Sequence, residues 1–402
     1  MRVRVLLGSV VALLVAAVVW QPAAGAAPTG GYIVVLKGSV GSAAAVAAEQ
    51  ARTRGLVVGH VYSHALKGYS AVMSAADAQA LRADPRVASV SQDRLVHVDA
   101  QVLPTGIDRV DGELSSTVSG NGAGSVNVDV AVIDTGIDTT HPDLDVAGGV
   151  NCSTGRSFND GNGHGSHVAG IIAAKDNDIG VVGVAPGARL WAVRVLNPAG
   201  SGSFASVICG VDWVTAHSDV IEVANMSLGG AGTEPAGSGC ATGDPLHDAI
   251  CNSVAAGVTY TVAAGNSADD AANHVPAAYD EVITVSALAD FDGEPGGLAA
   301  PTCRADQDDT LADFSNFGAD VDLIAPGVCI LSTYRKGGYA TLSGTSMASP
   351  HAGGAAALYK ASHPAASPAA VKRALQQAGN LGWNNVDDPD GVKEVLVNVD
   401  AF

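Results

Sequence analysis

The chain has 402 residues and carries 40 acidic against 21 basic side chains, a formal charge of −19 that argues against a nucleic-acid footprint, which needs a basic face. Its acidity serves solubility. Aromatic residues make up only 4% and glycines number 49, which suits a large fold of tight loops and small-residue packing, with length enough for two or three units.

Arg2 and Arg4 open an apolar run from Val5 to Trp20, and Ala24-Gly25-Ala26 then supplies small residues at a cleavage position. That order predicts a secretory signal peptide over residues 1–26, removed on export. The apolar run is interrupted by Gly8 and Ser9 and is short for a membrane span. No later stretch is long and apolar enough to cross a bilayer, so no membrane partner is expected after cleavage.

Residues 31 to about 98 read as a small α/β unit. "GYIVVLK" is a strand, "SVGSAAAVAAEQARTRG" an Ala-rich helix ending at Gly55, and "LVVGHVYSHALKGYSAVMS" two extended segments. Ser74 caps "AADAQALRADP", with Asp77 three residues on, and "VASVSQDRLVHV" is a last strand. The order βαββαβ predicts a ferredoxin-like split motif, which identifies no function by itself.

From about residue 126, strands alternate with longer helical patterns, the sign of a parallel sheet covered on both faces. "VNVDVAVID" alternates at Val126, Val128, Val130 and Val132. "HGSHVAGIIAAK" and "FASVICGVDWVTAH" read as helices, "VIEVANMSL" as a strand, and "DPLHDAICNSVAAG" as a helix capped by Asp244 with Pro245 in its first turn. "VTYTVAAGN" and "EVITVSA" are strands, "GTSMASPHAGGAAALYKASH" and "SPAAVKRALQQAG" helices, and "EVLVNV" a closing strand.

Six cysteines, none in CxxC spacing, point to disulfides in an exported chain. Sequence proximity favours Cys240 with Cys251 and Cys303 with Cys329, leaving Cys152 with Cys209.

In open α/β sheets, functional groups gather where strands end. Asp134 closes "VAVID" just before the turn residue Gly136; alone, it is as readily a turn residue as a catalytic one. His164 stands at the mouth of a helix among Gly161, Gly163 and Gly165. His167, one turn further in beside Val168, Ile171 and Ile172, reads as a packed structural histidine, and the HExxH zinc pattern is absent. In "SGTSMASPH" the candidate nucleophiles are Ser343, Thr345, Ser346 and Ser349. Pro350 is tolerable only near a helix start, which puts Ser346 at a helix N-terminus, where free N–H groups favour developing negative charge. On the residues alone this turn could equally be a set of helix caps.

Through "VAVIDTGID", "HGSHVAG", "NMSLGG", "VAAGNS" and "GTSMASPH", in that order, the chain resembles the subtilisin-like serine proteases. The resemblance covers roughly residues 100 to 402. It implies an α/β fold with a parallel sheet flanked by helices, and an Asp134–His164–Ser346 triad with Asn266 as an oxyanion donor. It also implies substrate contacts at Ser227, Leu228 and Gly229, at Ala264 and Gly265, and at Gly202 and Phe204, linings whose small and apolar character suggests broad apolar preference. Ser349 and Thr345 are then packing or capping residues.

A structural calcium ion is implied too, with Gln101, Asp143, Asn177 and the carbonyls of Lys175, Ile179 and Val181 as ligands, an all-oxygen set suited to a hard cation. Residues 27–99 resemble the family's inhibitor propeptide, an intramolecular chaperone and cleft inhibitor, leaving 100–402 as the catalytic domain and a junction within about 95–103. Three features depart from the family: Ala352 where a Val usually follows the His, Ser166 in "HGSH" where Thr is commoner, and the cysteines.

Together these imply a secreted, calcium-stabilised, monomeric serine endopeptidase acting on polypeptides and made as an autoprocessed zymogen. A binding protein on an inactive protease fold and an exopeptidase are the competing readings.

Overall fold

The computed structural model describes residues 29–93, 101–236 and 239–402. The expected signal peptide and the end of the last strand of the first unit, beyond Asp93, lie outside the described residues. Chain contacts divide the protein into two compact units, Met1–His97 and Val98–Phe402.

The first unit runs β1 (Thr29–Leu36), α1 (Ala43–Arg54), β2 (Val57–Tyr62), β3 (Gly68–Ser74), α2 (Ala75–Arg82) and β4 (Val87–Gln92). Its antiparallel sheet has the order β2-β3-β1-β4. Both helices have the punctuation the sequence carries: Ser42 and Ser74 accept from the N–H of the third residue onward, at 3.2 and 3.1 Å. Gly55 ends α1 in the left-handed region at φ 69°. Val34, Val46, Tyr69 and Leu81 fill a small core between helices and sheet.

The second unit begins with a short helix α3 (Thr105–Arg109) and continues β5 (Asp129–Asp134), β6 (Val146–Asn151), α4 (His164–Ala173), β7 (Arg189–Arg194), α5 (Phe204–Thr215) and β8 (Val223–Met226). Then come β9 (Gly230–Ala231), α6 (Pro245–Ala255), β10 (Thr259–Ala263), β11 (His274–Val275), β12 (Ile283–Ala289), β13 (Thr310–Leu311) and β14 (Leu323–Pro326). The hairpin β15 (Ile330–Tyr334) and β16 (Gly338–Leu342), helices α7 (Thr345–Ser362) and α8 (Pro368–Ala378), and β17 (Val395–Leu396) complete it.

The main sheet has the order β17-β14-β12-β10-β8-β5-β7-β6, its neighbours parallel, with β13 added antiparallel beside β12. Val130 and Val132 of β5 lie on the face covered by α4 and α7, with Ile171, Ile172, Met347 and Ala352. Ala131 and Ile133 face α5 and α6, with Val207, Val211, Leu246 and Ile250. The alternating valines therefore share a face as the pattern implies, but the residues between them are buried as well, because this is a central parallel strand. Strands β6 and β7 carry no such pattern: "VAGGVN" is glycine-rich and half-buried, and "RLWAVR" begins and ends on arginine.

The cysteines pair as Cys152–Cys209, Cys240–Cys251 and Cys303–Cys329, with Cα separations of 5.9, 5.2 and 5.8 Å. The first ties the end of β6 to α5, and the second ties a loop into α6.

Candidate active site

Register places the ends of three neighbouring strands at one edge. Val132 of β5 lies opposite Asn225 of β8, and Met226 opposite Val262 of β10. So Asp134 ends its strand at the same level from which Ser227 and Ala264 leave theirs, and α4 and α7 both begin there.

Asp134 is fully buried and accepts from the Thr135 N–H at 2.7 Å. Both its oxygens face His164 Nδ1, at 2.8 and 2.9 Å, which fixes the ring and leaves Nε2 as the free nitrogen. Burial alone would lower the His164 imidazole, but the Asp134 charge, its hydrogen bond and the Asp160 charge behind it hold His164 above its ordinary value. The loop before His164 is fixed by Asp160, which accepts from the N–H groups of Asn162 and Gly163 at 2.8 Å and from Ser166 N and Oγ at 2.9 and 2.6 Å. In sequence Asp160 has no signal of its own, because "NDGNG" looks like any polar turn. Gly163 has φ 116° and the Tyr334 ring lies against it, so a side chain there would have neither the backbone nor the room.

Ser346 is the second residue of α7. Its hydroxyl donates to the Ser227 carbonyl at 3.3 Å and makes no hydrogen bond to His164 in this arrangement. The Ser227 hydroxyl in turn donates to the Ser346 carbonyl at 2.8 Å. Apo catalytic hydrogen bonds are commonly loose and tighten with substrate. Beneath them Asn225 gathers Ser227, Thr261 and Ser349 at 3.0, 3.0 and 2.8 Å, so Ser349 is a buried strut rather than a nucleophile facing the cleft.

Asn266 follows Gly265, whose φ of 113° turns the chain out of the strand. The Thr345 N–H and hydroxyl both donate to Asn266 Oδ1, at 2.8 and 3.0 Å, so Asn266 Nδ2 is the end left to face the cleft. Ser346, one residue beyond Thr345, stands in the first turn of α7 beside this amide, and both Asn266 and Ser346 line the same cavity. Thr345 also accepts from Gly265 N at 3.1 Å, a bracing function beyond capping or packing.

A cavity of about 610 Å³ opens beside His164, lined by Gly202, Phe204, Leu196, Ser227, Leu228 and Gly229. A second, of about 360 Å³, is lined by Leu228, Ala264, Gly265, Asn266 and Ser346, with His274 in its wall. All seven sequence-predicted substrate contacts thus lie on one cavity or the other. His274, linked to Asp269 at 3.1 Å, and Val275 are lining residues that the sequence did not single out.

His167 is fully buried, with Nε2 at 3.0 Å from the carbonyls of Ile330 and Ala340. Burial pushes it down to about 4, and does the same to His351 on α7.

The six expected calcium ligands also gather. Gln101 Nε2 donates to the carbonyls of Lys175 and Val181 at 2.7 and 3.3 Å, and Asn177 Nδ2 donates to Asp143 Oδ1 at 2.8 Å. Ile179 is held to Asn177 through its N–H at 2.7 Å. Asp143 is fully buried, and burial raises its carboxyl above the usual range. Turning the two amides over presents oxygens where nitrogens stand, so the set becomes a carboxylate, amide oxygens and backbone carbonyls, donors that fit a hard cation.

Residues 125–392 match the subtilase family, and residues 31–99 match the peptidase inhibitor I9 family. Subtilisin DY of Bacillus licheniformis is 40% identical over 307 residues, which is 75% of this chain and 99% of that protein. An alkaline protease of Alkalihalobacillus alcalophilus is 41% identical over 319 residues, 79% of this chain and 75% of that protein. Among solved structures, a cold-adapted subtilisin-like serine proteinase superposes with a TM-score of 0.59 at 33% identity, over 74% of this chain and 98% of that one.

Proposed function

The chain belongs to the subtilase family and is a serine endopeptidase of the subtilisin type, and on that premise we propose that Asp134, His164 and Ser346 form its triad and Asn266 its oxyanion donor. The observation that carries the assignment is the pairing of His164 Nδ1 with both oxygens of a buried Asp134, at the sheet edge where α7 begins with Thr345 and Ser346 and Thr345 holds Asn266. Ser346 Oγ attacks the scissile carbonyl carbon as its proton passes to His164 Nε2. Asp134 stabilises the imidazolium, and Asn266 Nδ2 with the Ser346 N–H receives the oxyanion. The tetrahedral centre then collapses, His164 returns the proton to the leaving amine, and water reverses these steps on the acyl-enzyme.

The two cavities take the substrate residues before the cut, and their glycines let an extended substrate pair with protein backbone. Their linings support a broad apolar preference. Residues 27–99 act as propeptide, and the strand order of that unit supports a ferredoxin-like split fold. The catalytic domain then spans 100–402. A slow-forming parallel sheet gives such a helper its purpose. Secretion is supported by the leader pattern over 1–26 and by three disulfides. Calcium held by Gln101, Asp143, Lys175, Asn177, Ile179 and Val181 would pin the start of the catalytic domain to the 175–181 loop, supplying stability and no step of the reaction.

Incubating the mature protein with an unfolded protein substrate tests this reading. Internal fragments that vanish with a serine-directed phosphonate support it, whereas release of single N-terminal residues would make the enzyme an exopeptidase.

A further inference from the structure

Between α8 and β17 the chain reads Asp388-Pro389-Asp390-Gly391-Val392-Lys393-Glu394. One carboxylate oxygen from each of Asp388, Asp390 and Glu394 lies within 4.8 Å of the others. Acidic residues often cluster on a surface without purpose, but here two of the three are interior. Asp388 is 7% exposed and Glu394 5% exposed. Both Asp388 oxygens and Glu394 Oε2 are buried without any hydrogen-bond partner. Lys393, the cation next in sequence, stands over the Trp383 ring, 5.6 Å from its centroid.

A buried carboxylate normally has its lone pairs satisfied, and packing three of one charge together is unfavourable unless a cation, or a proton, is shared among them. The backbone suits such a cation. Gly391, at φ 70°, turns the loop back after Asp390, and the Val392 N–H donates to Asp390 Oδ1 at 2.7 Å. Trp383 Nε1 donates to the Glu394 carbonyl at 2.8 Å, anchoring the far side of the loop to a buried indole. The spacing Asp-x-Asp-Gly-x-x-Glu equals the third, fifth, sixth and ninth positions of an EF-hand loop, where oxygens surround calcium around an obligatory glycine turn.

We infer that Asp388, Asp390 and Glu394 form a divalent-cation site, separate from the Gln101–Asp143 cluster, that fastens the loop entering β17. The all-carboxylate donors select a hard ion, calcium by loop chemistry, over zinc. Its position gives it a mechanical purpose: β17 is the short end strand of the main sheet, paired with β14 through Val395 and Leu396 and bridged to Asn380 on its other side.

The test is a calcium-binding stoichiometry by equilibrium dialysis on the full chain carrying Ser346→Ala, which prevents self-digestion. Asp390→Ala and Glu394→Gln should each bind one ion fewer than the parent at the same free calcium, whether or not the Gln101–Asp143 cluster is filled in the unprocessed chain. Asp390 is exposed, so its replacement leaves packing intact and decides the matter should Glu394→Gln fail to fold. Equal calcium binding by parent and Asp390→Ala would overturn the site.

Discussion

Thr345 grips Asn266 with two donors on one oxygen, its backbone N–H at 2.8 Å and its hydroxyl at 3.0 Å, and so determines which end of the Asn266 amide faces the cleft. Thr345→Val keeps the shape and the N–H bond but removes the hydroxyl. Losing one such bond costs about 1–1.5 kcal/mol, so kcat should fall roughly tenfold with KM little changed. Asn266→Leu, which removes the donor itself, should cost about 10²- to 10³-fold in kcat. Because both act through one amide, the double variant should be no slower than Asn266→Leu. Steady-state kinetics on one peptide substrate checks all three; a rise in KM at constant kcat would make Asn266 a binding residue.

Ser346→Ala should abolish peptide hydrolysis and leave the fold intact, because it removes one oxygen from a half-buried position. Under autocatalytic maturation, the purified variant also keeps its propeptide. Intact mass and N-terminal sequencing read both outcomes, and a mature N-terminus on pure Ser346→Ala protein would assign the cut to another protease.

His164 must be neutral to take the serine proton, so activity falls as pH drops through its raised value. Asp160 contributes to that elevation through its charge. Asp160→Asn should therefore move the acid limb of kcat/KM to lower pH, even as it weakens the loop before His164. The corresponding stability term has the opposite sense: a raised histidine stabilises the fold below its unfolded value, and that contribution is lost as pH rises through the folded one. An unmoved acid limb in Asp160→Asn would show that Asp134 alone determines the His164 value.

His167 and His351 work the other way. Both are buried neutral and pushed down to about 4, below the ordinary value of 6.5. Below 6.5 the unfolded chain takes up protons that the folded chain refuses, so their stabilising contribution is full above 6.5 and lost as pH falls towards about 4. Urea midpoints of the Ser346→Ala protein should drop across that window. His351→Leu should flatten the slope, and an equal slope in both proteins would remove His351 from the account.

How legible all this is from sequence depends on how local the cause is. Ser42, Ser74, Asp244 and Ser367 announce helix starts because a cap bonds within its own turn. Asp134, His164 and Ser346 are legible through short motifs at element boundaries, although nothing in those motifs contains the distance between them. Thr345 bracing Asn266, 79 positions away, and His274 in the second cavity are products of tertiary approach and leave no local trace. The same holds for β14 and β6, whose pairing is decided by neighbours rather than by their own patterns. The Asp388–Glu394 spacing is written plainly in the chain, but its force comes from burial, which spacing does not reveal.

The proposed calcium ligands at Gln101 and 175–181 should govern operational stability more than chemistry, because Asn177 bonds Asp143, Gln101 bonds the carbonyls of Lys175 and Val181, and none of these bonds involves Ser346 or His164. An ion that binds only the folded state stabilises it by about 2.7 kcal/mol when present at 100 times its Kd. Mature protein carrying Asp390→Ala isolates this site from the C-terminal loop. In that background, chelation should shorten the half-life at elevated temperature while the initial rate at low temperature barely changes. Asp143→Asn and Asn177→Ala should each shrink the calcium-dependent gain, since one removes the buried charge and the other an amide oxygen. Gln101 adjoins the processing region, so the gain should appear in full only after the junction near residue 100 is cut. Identical inactivation in excess calcium and in excess chelator would mean that the Gln101–Asp143 cluster is held by its own hydrogen bonds and binds no ion.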